Sequence, residues 1–238
     1  MHSASTESPT AHGHKAEERR TFRGSEPYLL AALLVSVLVA GGALALLYAN
    51  RTPGEGSAEA GFARDMAEHH AQAVQMAEIS LRRTENEQIR MLATDILLTQ
   101  QNQIGQMHGW LAAWGLPLTG SEPAMAWMGH PTDGLMPGMA TAEEISTLET
   151  LPPEEADARF LRLMIPHHEA AIPMAKAVLG ETDRPEVEQL AGAIAVSQEN
   201  EIRTMQAMLR QMGEEPPANE PQQHAHAAHG RSPAADSR

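Results

Sequence analysis

The sequence predicts an all-α protein in which one N-terminal transmembrane helix precedes a four-helix bundle made of two repeated helical hairpins. Three observations carry this prediction. An uncharged apolar run covers residues 28–49, the rest of the chain shows helical periodicity without strand-like alternation, and one motif returns after 98 residues. The 238 residues include 14 Met and 12 His but no Cys, which excludes disulfides, thiolate metal sites and cysteine nucleophiles.

The apolar run of 22 residues is long enough, at about 1.5 Å per residue, to cross a bilayer core of roughly 30 Å. Four basic residues precede it: Lys15, Arg19, Arg20 and Arg23. The positive-inside rule therefore predicts a single-pass signal anchor in the cell membrane, with a cytoplasmic N-terminus and an extracytoplasmic C-terminal domain. The alternative is secretion after signal cleavage near residues 43–45, although the run exceeds the roughly 7–15 apolar residues usual in a signal peptide.

The net charge of the chain indicates which partners it can bind. The net charge of −14 argues against nucleic acid, because a nucleic-acid-binding protein needs a basic face. All of the net acidity lies in residues 51–238, which hold 13 basic and 27 acidic groups. An acidic extracytoplasmic surface helps to gather cations.

The segments follow from composition and periodicity. The predicted organisation is a disordered cytoplasmic tail (1–27), the transmembrane anchor (28–49), a linker (50–57), the bundle (58–213) and a disordered His-containing tail (214–238). Inside the bundle, repeats 60–115 and 158–213 flank a connection over 116–157. Helices are predicted over 58–80, 85–113, 154–179 and 185–212, with a short helix near 141–151.

The repeat defines the unit of the fold. Residues 62–77 match residues 160–175 at 8 of 16 positions without a gap, and five residues of the next helix return at the same offset. These five are Gln100, Asn102, Ile104, Met107 and Leu111, which return as Gln198, Asn200, Ile202, Met205 and Leu209. One hairpin cannot bury its apolar stripe alone, so two hairpins related by a pseudo-twofold axis should form the bundle.

Histidine and methionine share one face of the first helix in each hairpin, because residues three and four apart are neighbours on a helix. The candidate metal ligands are Met66, His69, His70, Met76 and Met107, together with Met164, His167, His168, Met174 and Met205. Thioether and imidazole without thiolate or carboxylate suit a soft cation, above all Cu(I), with Ag(I) as its analogue. Copper is the one cofactor that this pattern predicts.

Packing is the alternative explanation, since methionine at helical spacing is more often core material than ligand. In that case the chain is a metal-free envelope scaffold or interaction bundle. A His-His pair at the same register in both repeats, with Met at matching positions, favours the metal. Asn102, Asn200, Gln100 and Gln198 could hydrogen-bond the second nitrogen of a ligating histidine or fill polar gaps between the hairpins.

An enzyme is not predicted. Di-iron bundle enzymes use Glu-x-x-His on two helices, whereas Met66 and Met164 stand three residues before the His pairs here. The metalloprotease pattern H-E-x-x-H is also absent. The expected partners are a metal ion, the membrane through residues 28–49, and a copper-handling protein. Weaker His tracts at His12-Gly-His14 and His224-Ala-His226-Ala-Ala-His229 would be accessory at most.

The run from Phe160 to Ala175, with Gln198-Glu-Asn-Glu-Ile202 and Met205 downstream, resembles the bacterial domain-of-unknown-function family 305. The resemblance covers about residues 60–212. The resemblance implies a ferritin-like four-helix bundle. Some members of this family are similar to periplasmic proteins that hold Cu(I) and Ag(I) through Met and His. The resemblance therefore implies copper buffering, resistance or delivery through the ten candidate ligands.

Overall fold

The computed structural model describes residues 26–49 and 51–217, and these contain six α-helices and no strand. The helices are α1 (Glu26–Ala49), α2 (Ala58–Arg83), α3 (Glu87–Ala113), α4 (Ala142–Thr150), α5 (Pro153–Glu181) and α6 (Pro185–Gln211). The all-α prediction is confirmed. Both terminal His tracts, and most of the two predicted tails, lie outside the described residues.

The chain divides into two compact units, Met1–Arg51 and Thr52–Arg238. In the first unit, α1 contains the stretch Tyr28–Leu46, which is long and apolar enough to cross a membrane. Its large apolar side chains, from Tyr28 to Leu46, are exposed. This agrees with the apolar helix that the sequence predicts, while the topology across a membrane stays a prediction.

Local sequence sets the helix ends of the second unit. The Ser57 hydroxyl accepts a hydrogen bond from the Ala60 amide at the start of α2, and the Asn86 side chain does the same for Gln88 at the start of α3. Helix α2 runs three residues beyond its predicted end. Arg82 and Arg83 occupy its last turn, where basic side chains interact favourably with the helix dipole.

The second unit is built on a central pair of helices. Helix α2 packs against α3 and α5, and α5 packs against α6, so the two hairpins meet along α2 and α5. The C-terminal half of α2 shares an apolar cluster with the N-terminal half of α5, and the other two halves share another. The two helices therefore cross in opposite directions, as a pseudo-twofold axis requires.

We call these apolar clusters I and II. Cluster I contains Phe160, Leu161, Ile165 and Ile96, and cluster II contains Phe62, Leu111, Val178 and Ile194. Phe62 and Phe160 are repeat equivalents, and each is fully buried in a different cluster. Burying a side chain of this size contributes roughly 1.5–3 kcal/mol, so both ends of the bundle are anchored by the same repeated residue.

The connection between α3 and α4 is long and mostly irregular. It includes one turn of 3-10 helix, Ala126–Met128, and one isolated bridge between Ala124 and Thr132. Helix α4 then begins with a capping box formed by Thr141 and Glu144. Met125 and Met136 of this connection are buried in cluster II, so the connection packs onto the bundle.

Candidate metal centre

The four repeated histidines meet where α2 crosses α5. His69, His70, His167 and His168 all have 0 % of their surface exposed. The rings of His69 and His167 lie 3.8 Å apart between centroids, with an angle of 37° between their planes. These two residues are repeat equivalents, so the pseudo-twofold axis of the bundle passes between them.

The outer histidine of each pair is held by the second helix of its own hairpin. His70 Nε2 lies 2.8 Å from Gln103 Oε1 of α3, and His168 Nε2 lies 2.6 Å from Glu201 Oε2 of α6. Gln103 and Glu201 are themselves 98 residues apart. The repeat therefore preserves the contact but changes its chemistry, with an amide in one half and a carboxylate in the other.

The inner histidines have different surroundings. His69 Nε2 lies 3.1 Å from the carbonyl oxygen of Pro137 in the connection. The ring of His167 interacts with the backbone of His69, but neither of its nitrogens makes a well-formed hydrogen bond among the described residues, and the Nδ1 atoms of the other three histidines also lack one there. Buried nitrogens without partners cost about 1–3 kcal/mol each. A bound metal ion could take the lone pair of one nitrogen on each ring, so the donor set fits a metal.

Burial also sets the protonation state of the centre. Desolvation lowers the pKa of His69 to about 4 and that of His70 to about 3. It lowers the pKa of His167 well below its ordinary value as well. These three imidazoles are therefore neutral at physiological pH, and neutral imidazole is the form that binds metals.

The six predicted methionine ligands divide between the two apolar clusters. Cluster I contains Met76, Met164 and Met205, and cluster II contains Met66, Met107 and Met174. All six are fully buried, and each trio takes two methionines from one hairpin and one from the other. Each apolar cluster therefore contains one trio of buried thioethers.

Histidine and carboxylate groups alone do not complete a site. Over residues 26–49 and 51–217, no three His, Asp or Glu side chains are placed to hold one metal ion together. The inner histidine rings lie against each other with their planes tilted by 37°. A site completed at this centre would need a donor of another kind, and thioether sulfur is the donor that the sequence predicts.

Polar residues of α2 fasten the connection beside the histidines. Asp65 Oδ2 accepts hydrogen bonds from the Met125 amide at 2.7 Å and from Trp127 Nε1 at 2.8 Å. Gln72 exchanges two hydrogen bonds with the backbone of Ala140, at 2.7 and 2.9 Å. Asp65, His69 and Gln72 are spaced four and three residues apart, so they share one face of α2. The connection therefore covers the face of α2 that carries His69.

A glycine brings the same connection against α5. Gly138 has a φ of 77°, and a Cβ atom added to it would lie 2.4 Å from the carbonyl oxygen of Pro166 and 2.6 Å from the Cβ of Ala170. Pro166 directly precedes His167 in the chain. Helix α5 continues through Pro166 and Pro173, so the prolines do not end the helix that carries this histidine pair.

Sequence reasoning missed the residues that hold the outer histidines. Asn102 and Asn200 are exposed and bond to Gln106 and Arg203 of their own helices. Gln100 and Gln198 are buried, but neither contacts a histidine through a described hydrogen bond. The 98-residue offset could have identified them. Gln103 and Glu201 directly follow Asn102 and Asn200, and they are also a polar pair related by this offset.

Removing the Asp65 carboxylate should loosen the connection. In Asp65→Ala, the Met125 amide and the Trp127 indole lose their buried acceptor, and the free energy of unfolding is expected to fall by about 2 kcal/mol. Denaturant unfolding followed by tryptophan emission measures this loss. Asp65→Asn keeps an oxygen acceptor and should lose less. Equal stability of Asp65→Ala and the wild type would contradict the role of this contact.

The fold and its centre define a class of helical proteins in which two repeated hairpins enclose buried His and Met side chains. The family model described as "Domain of unknown function (DUF305)" matches residues 59–233. The chain belongs to this family, as its sequence motif indicates.

Three known proteins show how far the similarity extends. A DUF305 protein from Streptomyces coelicolor is 44% identical, with 69% of this chain and 99% of that chain covered and a TM-score of 0.66. CopM in its Cu(II)-bound form is 28% identical over 64% of this chain and 96% of that chain, with a TM-score of 0.50. The uncharacterized protein L153 of Acanthamoeba polyphaga mimivirus is 45% identical over 53 residues, which are 22% of this chain. The match spans only 35% of that relative.

Proposed function

We propose that this chain is an extracytoplasmic metal-binding protein that holds copper, as Cu(I), through Met and His. The observation that carries the proposal is the set of five buried histidine nitrogens at one place without a well-formed hydrogen bond among the described residues. Most buried side-chain polar atoms in proteins have a partner, so five such nitrogens at one place favour a ligand. The similarity to CopM, a protein solved with bound Cu(II), supports copper as the metal.

The ligand set of the proposal consists of the ten residues that the repeat singles out. The proposed set joins the four buried histidines to the two buried methionine trios, and thioether with imidazole is the donor combination that favours Cu(I) over zinc or iron. Gln103 and Glu201 orient the outer histidines from behind, in the way that outer groups commonly orient metal ligands. Copper is the cargo in this proposal, and the protein buffers it, confers resistance or delivers it to a partner protein without catalytic turnover.

The proposed location follows from α1. This helix would anchor the chain in the cell membrane, with the bundle on the extracytoplasmic side. The Streptomyces relative is described as a secreted protein, which supports an extracytoplasmic bundle. A chain without Cys holds soft metal in such a compartment without competing disulfide chemistry.

A Cu(I) titration of the full chain in detergent micelles, against a competing Cu(I) chelator, tests the proposal. The wild type should compete with the chelator at a fixed stoichiometry. The double variants His69→Ala with His70→Ala, and His167→Ala with His168→Ala, should each lose at least about 100-fold in affinity, because two ligands of the centre are removed. Helicity and tryptophan emission verify that the variants are folded.

His108→Ala is the matched control, because this histidine lies on α3 outside the centre and lines a surface cavity of about 750 Å³. It should bind copper like the wild type. Unchanged copper affinity and stoichiometry in both folded double variants would overturn the proposal. The metal-free scaffold, in which His and Met fill the core, would then replace it.

A further inference from the structure

The two halves of the histidine centre differ at one pair of equivalent positions. Gln103 contacts His70 and Glu201 contacts His168, each through Nε2 and each from the second helix of its hairpin. We propose that Glu201 is a positioning residue that fixes His168 as an Nδ1 ligand, so that copper binds the His168 half before the His70 half. This inference rests on the proposed function.

The difference begins with what each side chain can accept. A carboxylate accepts hydrogen bonds and donates none, so a His168 ring bonded to Glu201 carries its proton on Nε2. An amide offers both an oxygen acceptor and an NH₂ donor, and it can turn to suit either form of the ring. Gln103 therefore leaves the tautomer of His70 open, whereas Glu201 selects one tautomer of His168.

The selected tautomer leaves a lone pair where a ligand is needed. His168 Nδ1 is buried and has no hydrogen-bond partner within the described part of the chain. The lone pair of Nδ1 therefore points into the bundle, where a metal ion could bind it, while the proton on Nε2 points toward Glu201 of α6. Copper binding at His168 then requires no change of tautomer. At His70, the molecules whose ring is protonated on Nδ1 must change tautomer before Nδ1 can bind.

The carboxylate also strengthens the ligand. A carboxylate bonded to the far nitrogen of an imidazole raises the electron density on the nitrogen that binds the metal. The side chain of Glu201 is 24% exposed, so it keeps part of its hydration, whereas its contact atom reaches a fully buried ring. The contact is 2.6 Å here and 2.8 Å in the other half, and a hydrogen bond to an ionised acceptor is stronger than one to a neutral amide.

The repeat supplies the matched variants for a test on the full chain in detergent micelles. Glu201→Gln makes the second half like the first and should lower the Cu(I) affinity for the first equivalent by about 10- to 100-fold. The double swap Glu201→Gln with Gln103→Glu should restore most of that affinity. In the wild type, His168→Ala should weaken the first equivalent more than His70→Ala, and the double swap should reverse that order.

The tautomer of His168 is a second readout, because it would not change in Glu201→Gln if Glu201 only stabilised the fold. ¹⁵N NMR of histidine-labelled apo-protein should show His168 protonated on Nε2 alone, and it should show a mixture of tautomers at this ring in Glu201→Gln. Unchanged tryptophan emission would verify that Glu201→Gln keeps the fold.

The outcomes separate the two proposals. A wild-type His168 protonated on Nδ1 or on both nitrogens would overturn the inference, as would a Glu201→Gln variant that binds the first equivalent as tightly as the wild type. Failure of the wild type to bind Cu(I) at all would overturn the proposed function and the order of binding with it. The tautomer result on the apo-protein would then still decide what Glu201 does to His168.

Discussion

Acidification of the metal-free protein from pH 7.5 to pH 5.5 is expected to lower the free energy of unfolding by about 4 kcal/mol. Burial depresses the pKa of His69 to about 4, that of His70 to about 3, and that of His167 well below 6.5. In the unfolded chain these rings take up protons as the pH falls through about 6.5, whereas in the folded protein they stay neutral. Each ring then destabilises the fold by about 1.4 kcal/mol over this interval.

The sign of this dependence is set by the proton balance. The unfolded state binds more protons than the folded state between pH 6.5 and about 4, so stability is lost as the pH falls. Burial raises the pKa of Asp65 and of Asp157, so protonation of these carboxylates stabilises the fold as the pH falls further. The measurement stops at pH 5.5 because this opposite contribution is small there.

Denaturant unfolding of the apo-protein at several pH values measures the effect. All three tryptophans, Trp110, Trp114 and Trp127, lie in the second unit, so their emission follows the bundle and not α1. A variant in which His69, His70 and His167 are replaced by Gln should lose most of the pH dependence. A wild type whose stability is flat from pH 7.5 to 5.5 would show that these histidines are not held neutral.

The second large effect is expected at Gly138. In Gly138→Ala, a residue with a side chain must adopt a φ of 77°, which costs about 1–2 kcal/mol. Its Cβ would also lie 2.4 Å from the carbonyl oxygen of Pro166, so the connection or α5 must shift. With roughly 1–3 kcal/mol for this overpacking, the total loss of stability should be about 3 kcal/mol.

Gly134→Ala is the control in the same connection, because nothing lies within 4 Å of an added Cβ and the backbone there needs no positive φ. It should change the stability by less than about 0.5 kcal/mol. Limited proteolysis should cut the connection faster in Gly138→Ala than in Gly134→Ala, since residues 136–139 are pushed away from α5. Equal cleavage and equal stability of the two variants would contradict the close contact with Pro166.

Periodicity and the repeat were sufficient for most of the fold. They predicted the helices to within about three residues, because caps, prolines and glycines mark helix ends locally. They did not predict that the two His pairs meet. The contact of His69 with His167 follows from the packing, because equivalent residues near a pseudo-twofold axis are brought close to each other.

The contacts that surround the histidines could not be predicted in the same way. Neighbouring residues on a helix differ by about 100° in direction, so an apolar pattern does not decide whether Asn102 or Gln103 faces the core. Asp65 and Gln72 bond to residues about 60 to 70 positions away in an irregular segment, and no local signal encodes such a contact. The pairing of Gln103 and Glu201 with the outer histidines is therefore knowledge that only the packed structure provides.

The position of His69 against its own repeat copy bears on how the chain arose. In a symmetric dimer of a single hairpin, the residue next to the axis would meet itself, and a histidine there would stack on the identical histidine of the other copy. Joining two such hairpins in one gene would keep this contact while freeing each position to diverge. Gln103 and Glu201 show the result of such freedom, because two equivalent positions of one chain carry different chemistry, whereas the two copies of a homodimer always carry the same residue.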